Sequence, residues 1–150
     1  MRYFVTDTLC FPVDYPASIV KRQETYWKPI IDWVEKEYDV KIGMASGFGA
    51  PAHPQETIDK IRKSLDSWTS WQLVALDEAV RSSKSLLVAL ALLKGDFPLE
   101  FAADSSRMEV LQQISQWGEV EDTHDVDHHD IRVRLGSAKF LHDCATNLIQ

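Results

Sequence analysis

Apolar residues recur every three or four positions along most of the chain, which is the spacing of one face of an α-helix. The segment 54–68 is the clearest case, and its proline suits the first turn of a helix. A similar stripe runs through the last segment, from about 125 to 148. The apolar positions of these two segments are Ile58, Ile61, Leu65 and Trp68, and Ile131, Leu135, Ala138, Leu141 and Ala145.

The N-terminal third of the chain predicts two helices and a loop. One helix covers 16–26 and a second ends near Tyr38, because Pro29 lacks a backbone donor and should interrupt the run. The tetrapeptide DVKI (39–42) is the only candidate strand. The glycine-rich stretch GMASGFG that follows lacks the Lys-Ser/Thr of a phosphate-binding loop and a preceding strand, so it is interpreted as a connecting loop.

The middle of the chain predicts a buried helix. From Trp71 to about Lys94 the pattern favours one long helix, whose second half, SLLVALALL, is apolar on every side and should lie centrally. Gly95 ends it, and shorter helices follow at 98–104 and 107–117. The expected fold is all-α: a single orthogonal helical domain of about five to seven helices over residues 1–150.

Composition and charge exclude several classes of protein. The net charge of −7 and the pI near 5.1 argue against a nucleic-acid binder and against an anionic membrane surface. The longest apolar run is too short to cross a bilayer, so no membrane insertion is expected, and the first ten residues do not resemble a signal peptide. Cys10 and Cys144 are interpreted as buried thiols in a reducing compartment.

Histidines and aspartates crowd HDVDHHD (124–130), which raises a metal-binding alternative. On a helix, His124 and His128 share one face, and with Asp125 they could bind zinc, either in a metal-binding module or in a metal-dependent enzyme. A His-Glu-x-x-His motif is absent, however, and acidic residues are also favoured at the first turn of a helix. We therefore expect no metal and no cofactor, with Asp125 as a cap or first-turn anion.

The segment 105–118 reads as a capped helix with two distinct faces. Ser106 and Glu109 have the spacing of a capping box. An apolar stripe consists of Val110, Ile114 and Trp117, and a polar stripe consists of Glu109, Gln112, Gln113 and Gln116. Amides donate and accept hydrogen bonds but provide no nucleophile or tuned base, so the pattern favours binding to exposed peptide edges over catalysis.

Negative charge is concentrated around this segment. Residues 96–130 contain ten acidic residues and one basic residue, Arg107. Such a face is either simply solvated or a docking surface that selects a partner by complementary charge.

Four landmarks occur in a characteristic order: TDTLCF (6–11), WKPIIDWVEKEYDV (27–40), SWQL with KSL (70–86), and Ser-Arg-Met-Glu with a later Trp-Gly (106–118). A His-Asp pair follows them. Together they resemble the ATP synthase mitochondrial F1 complex assembly factor 2 family over roughly residues 6–145. In that family a β-rich N-terminal domain precedes a helical C-terminal domain. The chain resembles the helical domain alone, as expected of a truncated or processed fragment.

The resemblance implies a non-enzymatic assembly chaperone. Such proteins hold the newly imported F1 α subunit of ATP synthase and shield its β-facing surface, in the mitochondrial matrix or in the bacterial cytoplasm. A monomer is expected. The residues expected to bind the partner are Glu109, Gln113, Gln116, Trp117, Gly118 and Asp125. A helical scaffold with an unrelated partner is the remaining alternative.

The match to the family motif is incomplete at one position. The family has two consecutive glutamates, whereas this chain has Glu109 followed by Val110. Lys84 also matches, and its ammonium group needs water or an anion such as Glu109. The other matching residues are Asp7, Cys10, Trp27, Pro29, Trp33, Trp71, Ser85, Gln113, Trp117, Gly118, His124 and Asp125.

Overall fold

The computed structural model describes residues 2–45 and 49–147, and the predicted all-α class is confirmed. The described residues form eight α-helices and one short 3-10 turn, Thr8–Cys10, and they contain no strand. The helices are α1 (Arg2–Val5), α2 (Ala17–Tyr38), α3 (Gln55–Leu65), α4 (Ser70–Ser83), α5 (Leu86–Lys94), α6 (Leu99–Ser106), α7 (Met108–Trp117) and α8 (His124–Asn147).

Helix α5 is the centre of the core, as its all-round apolar sequence predicts. Every residue from Leu86 to Leu93 is buried, and the chain reaches solvent only at Lys94. Helices α1, α2, α4, α6 and α8 all pack against it. None of the helices in the described parts of the chain is both long and apolar enough to span a bilayer.

The predicted long helix from Trp71 to Lys94 is wrong, because the chain breaks between α4 and α5. Lys84 adopts a left-handed conformation with φ of 57°. The side chain of Ser85 then accepts a hydrogen bond from the N–H of Val88, and the buried carboxylate of Asp7 accepts one from Leu87 at 3.1 Å. These two acceptors satisfy N–H groups that a new helix start leaves unpaired.

The predicted interruption at Pro29 is also wrong, since α2 runs through it without a break. The proline removes one internal hydrogen bond, but Trp27, Ile30 and Val34 are buried on both sides of it. Packing of both halves against one core therefore keeps the helix continuous. With this fusion, the break at Lys84 and the short α1, the described helices number eight rather than five to seven.

Residues 39–42 do not form the candidate strand. Val40 and Ile42 are buried while Lys41 is exposed, so the alternation that suggested a strand is real. No partner strand lies beside them among the described residues; Ile42 donates its N–H to Glu35 Oε1 at 2.9 Å instead. Residues 46–48 of the glycine-rich loop lie outside the described residues.

Candidate functional site

An extended segment, residues 11–16, lies across α2 and is fixed there by one side chain. Gln23 accepts a hydrogen bond from the N–H of Val13 at 3.0 Å and donates one to its carbonyl at 2.8 Å. Side chains of an extended chain alternate in direction. Phe11, Val13 and Tyr15 therefore face one groove, while Pro12 faces a different depression on the opposite side.

Helix α7 lies beside this segment and is tied to α2 at two points. At the corner between α6 and α7, the indole N–H of Trp27 donates to the carbonyl of Ser105 at 3.0 Å. Further along, the amide of Gln112 accepts from Arg22 Nε at 3.1 Å and donates to Ser18 Oγ at 2.9 Å. Gln112 is buried, so its amide is engaged within the fold.

A buried arginine fixes the start of α7 against α8. Arg107 Nε donates to Asp127 Oδ2 at 2.6 Å, and its Nη2 donates to the carbonyl of His124 at 2.9 Å. The predicted capping box is wrong, because Ser106 is the last residue of α6 and donates to the carbonyl of Ala102. The structure places a capping box at Thr69 instead.

Between the extended segment and α7 lies an open groove of about 330 Å³. Its floor is apolar and includes the buried side chains of Trp27 and Met108. One wall carries Phe11, Val13, Tyr15 and Pro16, and the other carries Glu109, Gln113, Gln116 and Trp117. Trp117 and Tyr15 are 78% and 83% exposed, so large aromatic surfaces stand at both rims.

The charge around the groove is negative. Glu109 is the only acidic or basic residue that lines it among the described residues. Nearby, Asp14 lies between two wall residues, and Glu119 and Glu121 follow α7. None of these four carboxylates takes part in an ion pair within the described ranges, 2–45 and 49–147. A bound molecule would therefore meet uncompensated negative charge at the edge of an apolar floor.

Four of the six residues selected from the sequence come together in this groove: Glu109, Gln113, Gln116 and Trp117. Gly118 ends α7 with φ of 85° but does not line it, and Asp125 lies in the first turn of α8. Gln112 was grouped with the exposed amides, yet it faces inward.

The residues of the metal-binding alternative do not gather as ligands. His124 Nδ1 accepts a hydrogen bond from the N–H of Val120 at 3.0 Å, and the ring of His128 stacks on His129. Asp125 Oδ1 accepts from the N–H of Val126. In the part of the chain that the structure describes, no three His, Cys, Asp or Glu side chains are placed to hold a metal ion.

The wall formed by residues 11–16 was not selected from the sequence. A signal for it exists, since Leu9, Phe11, Val13 and Tyr15 are apolar at every second position and Pro12 excludes a helix interior. The suggested pairing of Lys84 with Glu109 is wrong, because Lys84 is exposed at the turn before α5 and forms no ion pair with Glu109.

The fold and the groove together define an all-α domain that presents an open, partly apolar surface with a negative rim. The ATP12 chaperone protein family matches residues 1–35. The mitochondrial atp12 protein of Schizosaccharomyces pombe is 32% identical over 154 residues, which cover 99% of this chain and 53% of that protein. The chain is thus a relative of the ATP12 proteins, and the family predicted from the sequence landmarks is confirmed.

One further relative and one solved structure are similar to this chain. The mitochondrial ATP12 protein of Saccharomyces cerevisiae is 28% identical over 163 residues, which cover 92% of this chain and 50% of that protein. The crystal structure of Atp12 from Paracoccus denitrificans has the same fold, with a TM-score of 0.86 at 24% identity over 96% of this chain and 61% of that one. The relatives are mitochondrial or bacterial, as predicted, and the chain spans about half the length of the two yeast proteins.

Proposed function

We propose that this protein is an assembly chaperone that binds the unassembled F1 α subunit of ATP synthase and shields its β-facing surface until the F1 head forms. The observation that carries this proposal is the groove itself. It brings Glu109, Gln113, Gln116 and Trp117 of the predicted partner-binding set onto one exposed surface. The kinship with ATP12 chaperone proteins supports the choice of partner.

The groove suits holding rather than catalysis. Its apolar floor and aromatic rims offer surface to an apolar segment, and the exposed amides offer hydrogen bonds to peptide edges. Its one carboxylate, Glu109, stands without a second acid or a histidine in the lining. We place the protein, as a monomer without cofactor, in the mitochondrial matrix, or in the cytoplasm if its source is bacterial.

The test is light scattering of F1 α subunit diluted from denaturant, with this chain added at increasing ratios. The expected result is suppression of aggregation near one chain per α subunit. Glu109→Lys should abolish this suppression, because it places a positive charge and a longer side chain in the groove wall. An unrelated helical domain added at the same ratios controls for crowding by any folded protein.

Asp59→Lys is the matched control, since it makes the same change of charge on α3, at an exposed position that does not line the groove. Circular dichroism establishes that both variants are folded. No suppression by the folded wild-type chain would contradict the proposed function. Equal loss in both variants would show that net charge matters rather than the groove.

A further inference from the structure

The chemistry of the groove specifies what kind of segment it can hold. We propose that it binds an extended stretch of the partner in which one or two large apolar side chains are flanked by lysine or arginine. This inference rests on the proposed function, because it takes the groove as the place where the partner is held. It adds the class of segment, which the family relationship does not provide.

The size of the groove limits its occupant to a few side chains. Its volume of about 330 Å³ lies near the lower end of the roughly 300–1,000 Å³ range of small-molecule sites. A whole helix, about 10 Å across, needs a longer and wider trough. Two anchors pressed onto Trp27 and Met108 fill the available space, so the floor selects for apolar side chains rather than for a folded element.

The two walls favour an extended backbone between those anchors. Phe11, Val13 and Tyr15 present alternate side chains of an already extended segment, which is the geometry that a second extended chain matches. On the opposite wall, Gln113 and Gln116 are exposed, in contrast to Gln112, whose amide bonds to Arg22 and Ser18. Exposed amides above an apolar floor can bond to the N–H and C=O groups of such a segment.

The charge at the rim determines the flanking residues. Glu109 stands on one wall, Asp14 lies between the wall residues Val13 and Tyr15, Glu119 and Glu121 follow α7, and all four are exposed. No lysine, arginine or histidine lines the groove within the described residues. Positive flanks are therefore attracted and acidic flanks repelled, and the preference must weaken as salt screens the charges.

The test measures fluorescence anisotropy of three labelled heptapeptides, KSLVFTK, ESLVFTE and KSGSGTK, with the 150-residue chain. We expect KSLVFTK to bind about tenfold more tightly than ESLVFTE at about 50 mM salt, and about threefold at about 500 mM. KSGSGTK, which keeps the lysines but lacks the anchors, should bind at least about tenfold more weakly than KSLVFTK, because the apolar floor supplies most of the affinity.

Two variants locate the binding. Val13→Asn removes apolar surface from the groove wall without adding charge and should weaken all binding of KSLVFTK, whereas Val133→Asn, the same substitution on the exposed face of α8, should leave it unchanged. Glu109→Gln keeps the shape of the wall and removes its charge. It should reduce the preference for KSLVFTK over ESLVFTE about threefold while leaving the stability of the fold unchanged.

Each outcome decides the inference. Equal affinity for the lysine- and glutamate-flanked peptides, tight binding of KSGSGTK, or equal loss in Val13→Asn and Val133→Asn overturns it. If aggregation of the α subunit is suppressed while the peptides show no preference, the segment chemistry is wrong and the proposed function stands. If KSLVFTK binds as expected and aggregation is not suppressed, the proposed partner is wrong and the chemistry of the groove stands.

Discussion

Gln23 contributes both to the stability of the fold and to the shape of the groove, and replacing it with leucine tests both roles. Leucine has a similar volume, and Gln23 is buried, so the substitution removes the paired hydrogen bonds to Val13 without opening a large cavity. Each such bond contributes roughly 1 kcal/mol net, but Val13 is 47% exposed and water can replace part of the loss. We expect Gln23→Leu to lower the free energy of unfolding by about 1–2 kcal/mol.

Urea unfolding followed by circular dichroism measures this loss, and anisotropy of KSLVFTK measures its effect on the groove. Because Gln23 anchors the wall that carries Phe11, Val13 and Tyr15, the affinity for KSLVFTK should fall several-fold. The affinity is measured without urea, where the variant is fully folded. The reasoning would be refuted if the variant had the same urea midpoint of unfolding as the wild type and bound KSLVFTK with the same affinity.

Gln23→Glu provides a sharper version of the same test. The glutamate can still accept from the N–H of Val13, but its second oxygen then faces the carbonyl that the amide now contacts at 2.8 Å. Protonation converts that oxygen into a donor. The stability of this variant relative to wild type should therefore recover as the pH falls below about 5, whereas that of Gln23→Leu should not.

Two further predictions concern the buried groups near the start of α5. Burial raises the pKa of Asp7 from 3.8 to about 6, although hydrogen bonds from Ser85, Leu87 and Leu9 favour the charged form. The folded state thus holds the proton more tightly than the unfolded state, so stability should rise by about 1 kcal/mol from pH 7 to pH 5 relative to Asp7→Asn, whose side chain does not titrate; parallel pH profiles in denaturant unfolding would contradict this. Burial, with Asp7 nearby, also raises the pKa of the Cys10 thiol to about 12, so a disulfide reagent at pH 8 should label only Cys144 until the protein unfolds. Labelling of Cys10 in the native state at the rate of Cys144 would refute that prediction.

Helical periodicity predicted most of the fold because most of the helices bury one regular stripe. It failed where a contact from a distant part of the chain decided the outcome. The polar run before Leu86 is compatible with a helix surface, and the carboxylate of Asp7, eighty positions away, acts together with the local cap of Ser85 to make a new helix start favourable there. Conversely, Pro29 is a strong local signal that packing on both sides overrides.

Only one of the two walls of the candidate groove could be predicted from the sequence. The polar stripe of α7 showed where Glu109 and Gln113 lie, but periodicity alone does not reveal which of two faces a helix buries. In the structure, Gln112 of the polar stripe is buried, whereas Trp117 of the apolar stripe is exposed. The opposite wall was not predicted, because in the sequence an extended segment without a partner strand resembles an ordinary loop. The position of this segment beside α7 depends on the two hydrogen bonds between Gln23 and Val13.

The central position of α5 has a consequence for the order in which the chain is made. Synthesis from the N-terminus completes Asp7 and α2, two of its neighbours, before α5 exists. Helix α8, which covers α4, α5 and α6, is completed after all the other described helices. Until residues near Leu135 and Ala138 emerge, the most apolar helix of the protein has an open side, which is the condition that favours aggregation of nascent chains. A protein proposed to protect an unfinished subunit thus exposes an unfinished apolar core of its own until α8 has been made.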